Sequence, residues 1–200
     1  MIRNGSTSQA EIASMVDRYG DFEQRVQRQM EQRCQPACSV CRHVCCRPHF
    51  CEESRQSAFL ERVVRRFSPQ AVFDKKRGWL SPKGCTLVAG RPPVCYEFLC
   101  GDIPDAVSAD SHRRWAMLAL SMLVTHVGRR AVGSRHLVEA TGAGELTRIH
   151  RERFAARLEE AEAALAEAAA ILDGRRTTAA GPTLARIVPP PGRKPKRRSM

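Results

Sequence analysis

Apolar residues between Gln9 and Gln32 recur at three and four positions, at Ile12, Val16, Tyr19, Phe22, Val26 and Met30, which is the period of one buried helix face. Ser8 with Glu11 three residues later has the form of a capping box and marks where that helix starts. A second amphipathic stretch from Glu52 through Phe59, Leu60, Val63, Val64 and Phe67 predicts a helix that stops before Ser68-Pro69. Trp79-Leu80 and Thr86-Leu87-Val88, separated by Ser-Pro-Lys-Gly, predict a small hairpin. From Asp110 or Ser111 to about Val127 almost every position is apolar, as expected of a helix in the core. Glu145 to Leu172 carries Phe154, Leu158, Ala161, Leu165, Ala168 and Leu172 in alternating steps of four and three, a coiled-coil-like seam. Three Ala-rich heptads favour packing on the chain's own domain over a homodimer through 145–173, though the seam allows either.

These elements predict a mainly α fold: a small helical domain with an irregular Cys-rich metal-binding loop, a short β-hairpin and a long C-terminal helix. The expected order is a flexible N-terminus over 1–8, a cysteine-cluster domain over 9–130, the long amphipathic helix over 145–173 and a disordered basic tail over 174–200. The tail holds eight Lys and Arg residues, no acid and five prolines, so it carries +8 of the chain's +12 and is too poor in apolar residues to fold on composition. Such a tail can neutralise nucleic-acid phosphates without reading sequence, but with no aromatic residue to stack on bases and no nucleic-acid module before it, a solvated, disordered end is the favoured expectation.

The first 20 residues contain Glu11 and Asp17 and no secretory apolar core, and Trp115 to Val127 is too short and too interrupted to span a bilayer. The expectation is a soluble cytoplasmic protein without membrane contact. In that reducing setting the nine cysteines point to metal or redox chemistry before disulfides. Six of them, Cys34, Cys38, Cys41, Cys45, Cys46 and Cys51, fall within 18 residues, and Cys85, Cys95 and Cys100 flank a turn stiffened by Pro92 and Pro93. A close-set loop and a distant segment of this kind can close one site between them.

Zinc and a cubane iron–sulfur cluster both take four such ligands, so ligand type leaves the metal open, and nine cysteines exceed one site of either kind. The spare thiols could form a second site, a redox pair, or none. His43, His49 and His112 could replace a cysteine at zinc but are as readily surface residues. Only Cys38/Cys41 has C-x2-C spacing, which excludes a zinc ribbon, and the bacterial ferredoxin run is absent. Cys34-x3-Cys38-x2-Cys41 matches the radical-SAM triad, but the chain is too helical and too short for the barrel that triad requires. No phosphate loop, nucleophile triad or paired catalytic carboxylates stand out, so the sequence assigns no catalytic residue.

Cys38, Cys41 and the doublet Cys45-Cys46, followed by Cys85-x5-Arg91-Pro92-x2-Cys95 and then Cys100, resemble the YkgJ-like cysteine-cluster family, the CxxCxxCC zinc- or iron-chelating domain. The resemblance spans about residues 34–100. Three residues separate Cys41 from Cys45 where many relatives have two, which leaves the roles of Cys34 and Cys51 open. The resemblance implies metal chelation, with zinc and an iron–sulfur cluster both proposed, by Cys38, Cys41, Cys45, Cys46, Cys85, Cys95 and Cys100, with Cys34 in addition. Arg91 then has a physical role, because a guanidinium offsets the negative charge of a metal–thiolate unit and donates to sulfur. The alternatives are an iron–sulfur-dependent redox or modification enzyme and a nucleic-acid-associated zinc module. Cys45→Ser and Cys95→Ser are expected to abolish metal binding, and Cys51→Ser to matter less.

Overall fold

The computed structural model describes residues 6–40, 46–82, 84–100, 103, 110–175 and 181–191. Cys41, His43 and Cys45 lie outside the described residues, as do residues 1–5 of the N-terminal segment and residues 176–180 and 192–200 of the tail. The described chain is mainly helical with one small antiparallel sheet. Among the described residues no helix is long and apolar enough to cross a membrane.

Helix α1 spans Gln9–Cys38. Its start is the predicted capping box: the Ser8 amide donates to the Glu11 carboxylate at 2.7 Å, and the Glu11 amide donates to Ser8 Oγ at 3.2 Å. The helix runs six residues past the predicted end and through Pro36. Pro36 sits in the last turn, where only one backbone bond is lost, and the Ser39 amide still closes on the Gln35 carbonyl at 2.8 Å. Cys34 and Cys38 therefore occupy one face of a helical turn, four residues apart, and the irregular loop begins after them.

The expected second helix is two. Helix α2, Pro48–Gln56, starts with proline at its first position, and α3, Ala58–Phe67, is capped afresh by Ser57, whose hydroxyl accepts from the Leu60 amide at 3.2 Å. The α3 face of Phe59, Leu60, Val63 and Val64 is buried on α1. Strands β1, Leu80–Ser81, and β2, Gly84–Cys85, pair with Leu80 opposite Cys85, a tighter hairpin than predicted. Helix α4, Val94–Glu97, is a single turn after Pro92-Pro93. Asp110 caps α5, Ser111–Ser121, by accepting from the His112 amide at 2.9 Å, and α6, Leu123–Gly128, follows after a break at Met122.

The long C-terminal segment divides likewise, into the short α7, Ala143–Leu146, and α8, Arg151–Leu172. The seam residues Phe154, Leu158, Ala161, Leu165, Ala168 and Leu172 are all buried, with α8 packed on α1, α5 and α6. The seam is spent inside the chain and does not face outward for a second copy. One expectation needs correction: residues 174–200 are not uniformly without structure, because Pro182–Ile187 forms helix α9 on α8. Averaging over the tail hides the local cluster of Leu184, Ala185 and Ile187, which is buried, and Glu167 of α8 accepts from the Leu184 amide at 2.7 Å at the new helix's start.

Two histidines are expected to make stability fall with acid. His136 Nε2 donates to the Thr125 carbonyl at 2.9 Å while Nδ1 accepts from the Val138 amide at 3.3 Å, so a second ring proton would point at an N–H. Burial pushes the His136 pKa down, against the raising effect of Thr125, Glu139 and Glu97; Arg129 adds to the lowering. Burial also lowers His126, against its hydrogen bond to Glu160, and Arg157 and Arg129 lower it further. With folded values below the unfolded value near 6.5, the unfolded chain binds more protons as pH falls through and below about 6.5, and stability drops. Urea midpoints are expected to decrease from about pH 7.5 to about pH 5.5, and His126→Gln with His136→Gln to flatten the dependence. A double variant that keeps the wild-type slope contradicts this origin.

Candidate metal centre

The end of α1, the start of α2, the hairpin and the α4 turn meet around a cavity of about 300 Å³. Cys34, Cys38, Cys46, Cys51, Cys85 and Cys95 line it. Both cysteine segments thus reach one place, and the fold shows how. The turn before the hairpin is closed by paired Asp74–Gly78 backbone bonds, and Gly78 has φ +64°. A Cβ on Gly78 would fall 2.5 Å from Cys51 Sγ, so only glycine allows this approach. The next residue, Trp79, turns its backbone amide to the Cys51 sulfur and its indole N–H to Ser54 Oγ at 2.7 Å.

The Arg91-Pro92 segment is anchored to α1 by a carboxylate. Glu23 is fully buried, and its two oxygens accept from the Gly90 amide at 2.7 Å, the Arg91 amide at 2.9 Å and the Tyr96 hydroxyl at 2.8 Å. Burial raises the Glu23 pKa, and these three donors together with the Arg91 charge work against that rise. The fixed segment carries Arg91 and Cys95 to the cavity wall. Arg91 donates to the Leu87 carbonyl at 2.8 Å and to the Cys85 sulfur, and its buried Nε has no partner.

Burial pushes the Cys95 thiol up to about 12, and Cys51, Cys85 and Cys46 reinforce the shift while Arg91 opposes it. Cys95 is nevertheless exposed by surface area, because the surface it leaves open faces the cavity. Cys51 is buried, and burial raises its pKa as well; Trp79 opposes the shift, while Cys85 and Glu52 add to it. At neutral pH the Cys95 sulfur is thus a thiol, and a cation that binds it must release its proton.

The placement of the sequence candidates is uneven. Cys34, Cys38, Cys46, Cys85, Cys95 and Arg91 border the cavity; Cys100 does not border it and instead packs, half-buried, against the main core. Cys41 and Cys45 lie in the five-residue stretch between Val40 and Cys46 that is outside the described residues. His49 and His112 are exposed and do not line the cavity, although the His49 ring packs against Phe50 of the wall at 4.3 Å between centroids. Cys51 is the residue that spacing left open and the fold brings in. Glu23 was missed altogether, although a carboxylate four residues after Tyr19 and seven after Val16, on an otherwise apolar stripe, is a readable signal.

Among the described residues no three His, Cys, Asp or Glu side chains converge closely enough to hold a metal ion as they stand. Neutral thiols gain nothing by converging, and thiolates repel until a cation gathers them. The donor set still fits a thiophilic metal: soft sulfur from two segments, an apolar wall of Met30, Phe50, Trp79 and Leu99, and a guanidinium whose orphan N–H needs an acceptor. No family profile, curated protein or solved structure matches the chain.

Proposed function

We propose that this chain is a metal-binding protein that chelates zinc or an iron–sulfur cluster through clustered cysteine thiolates. The observation that carries the reading is the meeting of Cys46 and Cys51 with Cys85 and Cys95 around one cavity, beside a half-buried arginine whose buried Nε–H is unsatisfied. Cys34 and Cys38 present sulfur from the last turn of α1. Cys41 and Cys45 belong to the set through the YkgJ-like resemblance. Cys100, off the cavity, is the weakest member. Zinc would act here as a closed structural ion, and an iron–sulfur cluster would supply one-electron transfer. Arg91 would offset thiolate charge and donate to sulfur. Free thiols at Cys51, Cys85 and Cys95 suit a reducing, cytoplasmic setting.

A second reading, an iron–sulfur-dependent redox or modification enzyme, draws on the size of the cavity. About 300 Å³ with a mainly apolar wall exceeds what one ion needs and reaches the lower range of small-molecule pockets.

The test is metal content, acid-labile sulfide and the visible spectrum of full-length protein purified without oxygen. Stoichiometric zinc without colour supports the structural reading, and iron with equimolar sulfide supports the redox one. In either case Cys95→Ser is expected to lose the metal while retaining its helical circular dichroism. Equal metal in wild type and Cys95→Ser overturns the proposal.

A further inference from the structure

Arginine is abundant on this surface, and many of its guanidinium groups face a carboxylate. Arg25, Arg66, Arg135, Arg151 and Arg186, for example, face Glu162, Asp17, Glu145, Glu11 and Glu160. One group differs. Arg129 and Arg130 follow α6 directly, and Arg153 and Arg157 sit one turn apart on α8.

Hydrogen bonds join the two pairs. Arg153 Nη1 donates to the Arg130 carbonyl at 2.6 Å and the Gly133 carbonyl at 3.2 Å, and Arg157 Nη1 donates to the His126 carbonyl at 3.3 Å. These contacts fix two guanidinium groups by one nitrogen each and satisfy carbonyls at the end of α6. They bring no counter-charge. Among the described residues, none of the four forms an ion pair, whereas Glu160, the carboxylate one turn beyond Arg157, is engaged by His126 and Arg186.

The sequence explains the surplus, since no acid occurs from Ser111 to Val138. Repulsion is felt within the group: burial lowers the Arg157 pKa, Glu160 raises it, and Arg153, Arg129 and Arg130 lower it again. Arg130 is also the one non-glycine residue with positive φ among the described residues, at 53°, a conformation that L side chains rarely adopt. Arg130 and Arg153 are exposed.

We propose that Arg129, Arg130, Arg153 and Arg157 form a docking surface for the phosphate backbone of a nucleic acid. Four guanidinium groups gathered from α8 and the turn after α6, two of them held by backbone carbonyls, suit a ligand with repeated negative charges, and contact is to phosphate rather than to bases. Helix α9 lies on α8 with Arg186 at Glu160, and the sequence beyond it holds five more basic residues, Arg193, Lys194, Lys196, Arg197 and Arg198. The inference stands apart from the cysteine cavity and survives if that reading fails.

The probe is a fluorescein-labelled single-stranded RNA of about 20 nucleotides, long enough for several contacts. Its anisotropy is titrated with full-length protein at several salt concentrations. The variant is Arg129→Gln with Arg130→Gly, because glycine suits the positive φ and the fold is kept. Binding is expected to weaken about tenfold, with the salt slope shallower by about 1.4, or 0.7 for each lost single-strand contact. Arg129→Lys with Arg130→Lys is expected to retain binding. Unchanged affinity and slope in the Gln/Gly variant overturns the proposal, as does equal loss in the Lys/Lys variant. It is also overturned if glutamine at the five tail positions abolishes binding while the intact patch retains none. Displacement of the RNA by inorganic phosphate at equal phosphate concentration, or equally tight, patch-dependent binding to phosphatidylserine vesicles, assigns the surface to a single anion or a membrane and overturns it too.

Discussion

Glu23→Ala is expected to be among the most destabilising single substitutions in the chain, lowering unfolding free energy by about 3–6 kcal/mol and, under the proposed function, removing the metal with it. The carboxylate is fully buried and accepts three hydrogen bonds, from two successive backbone amides and a tyrosine hydroxyl. Alanine leaves the Gly90 and Tyr96 donors buried and the Arg91 amide half-buried without a partner, and each unsatisfied buried group costs about 1–3 kcal/mol. Typical domains hold only about 5–15 kcal/mol in total, so the loss reaches a large part of the reserve. It is also directed at the site, because the released donors belong to the segment that carries Arg91 and Cys95. Tyr96→Phe removes one bond of the three without stranding a donor, and is expected to cost about 1 kcal/mol with metal retained. Urea titration and metal analysis on the two variants check the gradation. Glu23→Ala with wild-type midpoint and metal content means that the carboxylate does not hold the segment.

The readable parts of the fold are those where one local rule acts alone. Ser8 with Glu11 marked a helix start, Asp110 marked another, and Ser68-Pro69 marked an end at Phe67. The misread boundaries are breaks inside periodic stretches, at Ser57, Met122 and around His150, where apolar spacing continues across the junction. Ser57 carried a cap signal that the pattern on both sides concealed. Around His150 the break is tertiary, since its amide bonds to the Ala131 carbonyl at 2.9 Å, a partner that periodicity cannot reveal. The tail helix escaped for the opposite reason, because composition was averaged over a length in which six residues behave differently.

The candidate centre was legible as two segments of cysteines, since clustering is visible in one dimension. Which sulfurs meet was not. Cys100 lies five residues from Cys95, yet only Cys95 sits on the turn that Glu23 and Tyr96 secure. Pairing across about 40 residues depends on Gly78, whose missing Cβ lets the hairpin reach α2.

Cys51→Ser is accordingly expected to lose metal as fully as Cys95→Ser, against the spacing-based expectation that it matters less. Cys51 is buried beneath the hairpin, with the Trp79 amide on its sulfur and with Cys85 and Cys95 near enough to influence its charge or be influenced by it. A metal reaching Cys95 from the cavity meets this sulfur on the same wall. Serine keeps the volume and a hydrogen-bonding atom, so fold stability at the site changes little, while an alcohol oxygen is a far poorer ligand for a thiophilic ion than thiolate. The separation of effects makes the test sharp. The circular dichroism of metal-free protein is expected to match wild type, and its unfolding free energy from urea titration to agree within about 1 kcal/mol, whereas metal stoichiometry falls to background. If Cys51→Ser keeps full metal while Cys95→Ser loses it, the centre is built from Cys95 and its other neighbours, and Cys51 is a packed thiol that the glycine turn merely accommodates.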